Sequence, residues 1–498
     1  MRAPAAEHGA PNGDPSGPRR AALVYRRLGG WTALGVVAGV GMVLTGTRIG
    51  SVPDPAHILW WLSLPSGGSP YVSIGFYAAT VVFIAAWVGL GRQVFRGGLT
   101  QGQAWIVLVC WGLPFFLGPP LFSRDVYSYI AQGLIAHRGL DPYAVGPSVL
   151  GTGPLLSSVA SVWRHTSSPY GPLFVVSTRL LASVSGGSLV AQVLVFRAFE
   201  LIGVALIMVF LPRLARHLGT DPGVALWLGA LSPLALFSFI SSGHNDALMA
   251  GLLVAGVSLA VEGRLLVGVV LCAVAATIKL PAALAVVFLV VDHVRARVAV
   301  RGARGAWEEV AGPVAAAGVA FVGVTLACGY GFVWLGPTAL HIPTELRVLT
   351  TPAVAVGQLA YHLARLVGIP VAESATVTVT QAVFGIGALF ACGWLVLTVH
   401  RHEVVRSLGL ALVLVVVGSP TVWPWYLMWG LVLLAATTAQ RSRVLWLVAA
   451  LAMALVGPGG TPRLNGAWYV VASVATLGAL AWLIRDRHWR QVVTGHAV

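Results

Sequence analysis

Apolar runs of about twenty residues follow one another along almost the whole chain, and many end at an arginine. A helix needs about 20 apolar residues to cross the hydrocarbon core of a bilayer. The composition agrees: 57% of the 498 residues are apolar and 9% are charged, whereas soluble domains carry about 25% charged residues. Mean hydropathy is +0.84. These values exclude a water-soluble enzyme and a nucleic-acid module. The net charge of +15 therefore reads as loop arginines that set orientation in a membrane.

Charge placement predicts an all-α integral membrane protein with about 12–14 transmembrane helices. Residues 1–28 read as a disordered cytoplasmic tail without the apolar core of a signal peptide. Residues 29–487 form the polytopic domain, and 488–498 a second cytoplasmic tail. An even span number puts both termini in the cytoplasm. Two outer loops fall near 122–188 and 334–375. In the first, 173–183 reads as an interfacial amphipathic helix interrupted by Arg179. Residues 265–291 are too long for one span and short for two. Pro281 breaks a helix there, which predicts a hairpin of two short helices with Lys279 near its outer tip. One kinked span is the alternative. Cys110, Cys272, Cys328 and Cys392 sit in apolar runs without disulfide or metal spacing and read as free thiols.

Most of the 16 acids fall on the inner side, where capping and loop solvation account for them. Arg197 and Glu200 stand three apart within one span, so a structural intramembrane pair is expected. A reaction on the outer face must draw on Asp54, Asp125, Asp141, Asp246, Glu345, Glu373 or a histidine. Asp125 lies just beyond a span in Phe122-Ser123-Arg124-Asp125-Val126-Tyr127-Ser128-Tyr129. There it can take a proton from a substrate hydroxyl, with Arg124 keeping it ionised and Tyr127 and Tyr129 stacking on sugar. A helix cap with interfacial tyrosines is the plainer alternative. Asp141 precedes Pro142 and reads first as a turn. Ser168-Pro169-Tyr170-Gly171-Pro172 is turn chemistry that can hold Tyr170 in a cavity wall.

Gly243-His244-Asn245-Asp246 places three polar side chains at the mouth of a span, more than one helix cap requires. Lys279 is the only lysine. Beside a broken helix it suits a phosphate as a point charge, with snorkelling as the alternative. Arg347 is a second candidate phosphate clamp. Trp423, Trp425, Tyr426 and Trp429 read as an interfacial belt or as a shaped rim for lipid or sugar.

The segments 122–129, Ala131-Gln132-Gly133, 139–147, Pro169-Tyr170-Gly171-Pro172, His244-Asn245-Asp246-Ala247-Leu248-Met249, Lys279-Leu280-Pro281 and Pro424-Trp425-Tyr426 occur in that order. Together they resemble the actinobacterial polyprenyl-phosphomannose-dependent alpha-(1→6)-mannopyranosyltransferases. The resemblance implies a GT-C glycosyltransferase fold in the cell membrane with an extracytoplasmic site. It implies a polyprenyl-phosphomannose donor and a mannan acceptor anchored on phosphatidylinositol mannoside, the backbone of lipomannan and lipoarabinomannan. No cofactor is implied, and Val126 and Tyr127 after Asp125 leave no chelating DxD, so no metal is expected. The GT-C pattern calls for an acid in an early outer loop, which Asp125 matches. Asp246, where some relatives carry Glu, suits positioning. Substrate contacts then fall to Arg124, Tyr127, Tyr129, Asp141, Tyr170, His244, Asn245, Asp246, Lys279, Arg347 and Trp425. Transfer of another polyprenyl-phosphate sugar, or transport of a polyprenyl lipid, are the alternatives.

Overall fold

The computed structural model describes residues 16–48, 70–336, 351–399 and 404–437. Among them there are helices and no strands. The chain runs through α1 (Ser16–Arg48), α2 (Pro70–Gly97), α3 (Gln101–Leu117), α4 (Asp125–His137), the short α5 (Pro154–Ser158) and α6 (Ser161–Arg164), and α7 (Pro172–Val184). Then come α8 (Leu189–His217), α9 (Pro222–Gly229), the one-turn α10 (Pro233–Ala235), α11 (Asp246–Val261), α12 (Leu265–Ala276) and α13 (Ala283–Ala327). The described residues close with α14 (Pro352–Leu366), α15 (Glu373–Leu397), α16 (Val404–Gly418) and α17 (Met428–Leu434).

Among the described residues, five helices are long and apolar enough to cross a membrane, and the bent pair Pro222–Gly229 and Pro233–Ser241 makes a sixth. This is an all-α membrane protein. Among the described residues these lengths supply fewer than the 12–14 spans expected of the whole chain. α3, α11, α12 and α16 are apolar but only 12 to 17 residues long. Residues 438–487, where apolar runs at 444–456 and 468–484 predict two further spans, lie outside the described residues.

Three local expectations meet a different outcome. Helix α1 begins at Ser16, inside the stretch read as a disordered tail. Helix α7 runs unbroken through Arg179, which projects from the exposed side while Phe174, Val175, Thr178 and Ala182 are buried. A long charged side chain on the solvated face of an amphipathic helix need not interrupt it. α7 packs on α4.

Arg197 and Glu200, both buried in α8, do not pair. Arg197 donates from Nη1 to the carbonyls of Phe116 (2.7 Å) and Gly118 (2.5 Å), and from Nη2 to that of Ser241. These carbonyls end α3 and a single stretch of π-helix, Leu236–Ser241. Chain ends inside a membrane protein leave backbone acceptors that water cannot reach, and one guanidinium serves three of them. Glu200 Oε2 instead accepts the Leu248 N–H at 3.1 Å in the first turn of α11. It does the work of an N-cap, and the Asn245 side chain makes no capping bond.

The 265–291 segment is a helical hairpin, as its length and Pro281 predict. α12 and α13 pack against each other on either side of the Thr277–Pro281 break. The connection is docked onto the Tyr170–Pro172 turn. Gly171 N donates to Ile278 O at 2.9 Å, and Leu173 N to Thr277 O at 3.2 Å. A Cβ on Gly171 would lie 2.0 Å from the Thr277 carbonyl oxygen. Only glycine allows two backbones to approach this closely. Gly171→Ala should therefore push the hairpin tip away, at a cost of about 1–3 kcal/mol. The expected readout is a lower thermal midpoint in detergent together with reduced catalytic turnover; an unchanged midpoint would refute the contact.

Candidate active site

Asp125 is the first residue of α4. Its backbone N–H donates to Ser123 Oγ at 3.1 Å. Its side chain is mostly buried, with one oxygen taken: Trp163 Nε1 donates to Oδ1 at 3.0 Å. Oδ2 faces His244 Nδ1 at 3.5 Å. Burial pushes the Asp125 carboxyl up to about 6, with Lys279 and the Trp163 N–H pulling down and Asp246 pushing up. Such a group is ionised above pH 6 and still basic enough to take a proton.

The stretch from 243 to 246 arrives from the π-helix through Gly243, whose φ of 62° is a left-handed turn that glycine adopts freely. The turn delivers His244, Asn245 and Asp246 to one place, all three fully buried. His244 stacks on Trp425 with ring centroids 4.1 Å apart, and Trp425 on Trp423 at 4.8 Å. Burial, and then Lys279, holds the imidazole well below its usual range, so it is neutral at pH 7. Tyr129 Oη lies 3.4 Å from both His244 Nδ1 and Asn245 Oδ1. His244 Nε2, Asn245 Nδ2 and Asp246 Oδ2 have no protein partner. Three consecutive residues thus each keep a buried polar atom without a protein partner, where buried groups otherwise find partners.

Lys279 is not the lone cation that the sequence suggests. Its Nζ donates to Asp246 Oδ1 at 2.8 Å, and Trp429 Nε1 donates to the same oxygen. The ammonium lies 4.3 Å from the Tyr426 ring centroid, 5.2 Å from Trp429 and 5.8 Å from Tyr170. These are cation–π distances. Tyr426 and Trp429, readable as a belt, here form a cage. An ammonium has three donors. Asp246 uses one, and the side chain remains 12% exposed, so a phosphate oxygen can still reach it.

Tyr170 stands edge-on to Tyr129 at 5.2 Å, and its backbone oxygen accepts from Tyr143 Oη at 2.9 Å. Tyr127 is buried with its hydroxyl unpartnered. Arg124 stands at the N-cap of α4 without a side-chain capping bond. Asp141 does not join the cluster: it is exposed, and its Oδ1 accepts the Tyr143 N–H at 2.9 Å, which is the turn role of an Asp before proline. Arg347 lies outside the described residues. Among those, no group of three His, Cys, Asp or Glu side chains could hold a metal ion. Trp163 and Glu200 complete the arrangement, and sequence reasoning gave neither a place in it. For Trp163 a signal existed: it is a tryptophan inside a polar loop, far from any span end where a belt would put it.

Comparison with known proteins gives the family of the chain. A family model described as alpha-(1→6)-mannopyranosyltransferase, N-terminal domain, matches residues 32–295. A second, described as the MptB C-terminal domain, matches residues 353–485. The chain is 32% identical to alpha-(1→6)-mannopyranosyltransferase A of Mycobacterium tuberculosis, over 94% of this chain and 92% of that one. It is 29% identical to alpha-(1→6)-mannopyranosyltransferase A of Corynebacterium glutamicum, over 82% and 87%. Against alpha-(1→6)-mannopyranosyltransferase B of the same organism it is 29% identical, over 73% and 64%. No solved structure matches. On the extent of these matches, the chain belongs to the alpha-(1→6)-mannopyranosyltransferase family.

Proposed function

We propose that this protein transfers mannose from polyprenyl-phosphomannose to an alpha-(1→6)-mannan acceptor, with inversion, at an extracytoplasmic site. Membership of the family makes it a glycosyltransferase. The acceptor by this reading is the mannan backbone anchored on phosphatidylinositol mannoside, which grows toward lipomannan and lipoarabinomannan. The observation that carries the reading is the pairing of one basic carboxylate with one caged cation in a single buried cluster. Inversion from a beta-linked donor needs one displacement, hence one base and one stabiliser of the leaving anion.

Asp125 Oδ2 takes the proton of the acceptor hydroxyl as its oxygen bonds to C1 of mannose. The bond from C1 to the phosphate oxygen breaks, and the polyprenyl phosphate leaves with the electron pair. Lys279 stabilises that phosphate with the donors Asp246 does not occupy. Asp246 Oδ1 holds the ammonium in place. With its proton on Nδ1, toward Asp125, His244 offers Nε2 as an acceptor. Asn245 Nδ2 offers a donor, and Asp246 Oδ2 another acceptor. That alternation suits vicinal sugar hydroxyls. Tyr127, Tyr129, Tyr170 and Trp425 wall the sugars.

The test is mannose transfer from labelled polyprenyl-phosphomannose to a short alpha-(1→6)-mannoside, in membranes carrying the full chain. Asp125→Asn should lower turnover by about 10²–10⁴-fold, the usual worth of a general base. Full turnover in that variant would remove the base assignment. Wild-type kcat/KM should rise with pH through about 6 and then level, because only the ionised carboxylate accepts a proton. The stability sign is opposite. A carboxyl raised in the folded state favours folding most when protonated, and that contribution is lost between the unfolded value near 4 and the folded value near 6. Asp125→Asn should therefore unfold at a higher temperature than wild type at neutral pH. Lys279→Met should lower turnover with polyprenyl-phosphomannose at least tenfold, as losing a charge-assisted phosphate contact implies; unchanged kinetics would take Lys279 out of the reaction. Transfer of a different sugar from its polyprenyl phosphate, with none of mannose, would redirect the donor assignment.

A further inference from the structure

We infer that Trp163 is the positioning residue of the carboxylate at position 125: its indole N–H holds Oδ1 and so leaves Oδ2 turned to the acceptor. This rests on the reading of Asp125 as base. Two bonds fix that residue. Ser123 Oγ holds its backbone N–H at 3.1 Å, and Trp163 Nε1 holds its side chain at 3.0 Å. A carboxylate with one oxygen so held has a single orientation for the other, and orientation of the reacting group is a large part of catalysis.

The segment that carries Trp163 is braced for such a task. Its own helix α6 has only four residues and cannot be rigid alone. On one side Arg164 clasps the end of α5, with Nε donating to Val159 O and Nη2 to Ser157 O, both at 3.1 Å. On the other, Ser168 N donates to Pro142 O at 2.8 Å, and Ser168 Oγ to Gln132 Oε1 at 3.0 Å. Gln132 lies on α4, two turns after Asp125. The loop is thus tied to the helix it serves. Trp163 is 5% exposed, so an interfacial belt does not account for it. Indole N–H groups are buried where a partner awaits them, and the partner here is the proposed base.

The titratable and charged groups facing Asp125 are His244 and Asp246 at the start of α11, Lys279 from the hairpin, Tyr129 and Tyr170, and Tyr426 from the turn before α17. Removing the Trp163 donor leaves all of them in place. The carboxylate then loses a bond that favours its ionised form, and the acid limb of kcat/KM moves upward.

Two substitutions separate this role from packing. Trp163→Phe keeps an aromatic ring without a donor. Trp163→Gln keeps an N–H at the same number of bonds from Cβ without the ring. Transfer from labelled polyprenyl-phosphomannose to the short mannoside would be followed across the acid and neutral range, in membranes carrying the full chain, with Asp125→Asn alongside. Trp163→Phe should lower kcat about ten- to hundredfold with little change in KM, the worth of a hydrogen bond to a charged group. Its acid limb should move up by about one pH unit. Trp163→Gln should keep the limb near its wild-type position. A limb unmoved in Trp163→Phe, whatever its turnover, overturns the proposal, as does a limb shifted equally in Trp163→Gln. Where one variant fails to accumulate, the other decides: Phe by a moved limb, Gln by an unmoved one. Full turnover in Asp125→Asn is a separate result, and it removes the base on which the inference stands.

Discussion

The ion pair between Lys279 and Asp246 organises everything around it. Two charges taken out of water are held only where geometry is good and further polar contacts complete them. Here the ammonium comes from the break in the α12–α13 hairpin and the carboxylate from the first residue of α11. The indole of Trp429 completes the carboxylate oxygen, and three aromatic rings surround the cation. The pair therefore joins the hairpin, α11, α17 and the Tyr170 turn. Each element must stop where it does for this contact to form. Pro281 lies in the short turn that leads into α13, and Gly171 lets the Tyr170 turn dock on the hairpin tip.

The same cation acts on the second carboxylate. Lys279 draws Asp125 toward its ionised form, burial and Asp246 push it the other way, and the balance falls near 6. A carboxylate fully stabilised by a cation would be a poor base; one left alone in an apolar pocket would stay protonated. Because Asp246 holds the ammonium directly, Asp125 feels it only across space. Two acids of identical chemistry are separated in this way by their surroundings. One is fixed through its Oδ1 on the ammonium, the other basic and partly open.

Much of this was legible beforehand, for reasons that can be named. Apolar length predicts spans near 71–90, 189–211 and 377–399, where the fold has the helices Pro70–Gly97, Leu189–His217 and Glu373–Leu397. The hairpin follows from a single proline in a segment bounded by arginines. Asp125, His244, Asp246 and Lys279 stood out because a membrane protein seldom keeps so many polar groups at span ends without use. What sequence could not give was partnership. Arg197 and Glu200 have helical spacing for a pair, yet each serves backbone atoms of another segment, which spacing within one helix cannot reveal. Trp163 meets Asp125 across 38 positions of chain. Tyr426 and Trp429 have the sequence signature of a belt, and only the fold turns them toward a cation. Asp141 lay in a suggestive motif, and the fold returns it to its turn.

The treatment of the α11 start shows why the cluster retains unpartnered atoms. The first turn of any buried helix presents N–H groups that need acceptors. The residues best suited to provide them are Asn245 and Asp246, and local capping would use up their oxygens. Glu200 reaches over from α8 and accepts the Leu248 N–H instead. Arg197, one turn earlier in α8, closes the carbonyls of the preceding π-helix and of α3. A single helix thus supplies both a guanidinium and a carboxyl group to neighbouring chain ends. The side chains at those ends are released from structural duty. Asp246 can then hold Lys279, and Asn245 Oδ1 can accept from Tyr129 Oη while its Nδ2 has no protein partner. Polar atoms at the α11 start stay open because the polar requirements of the backbone beneath are met from elsewhere.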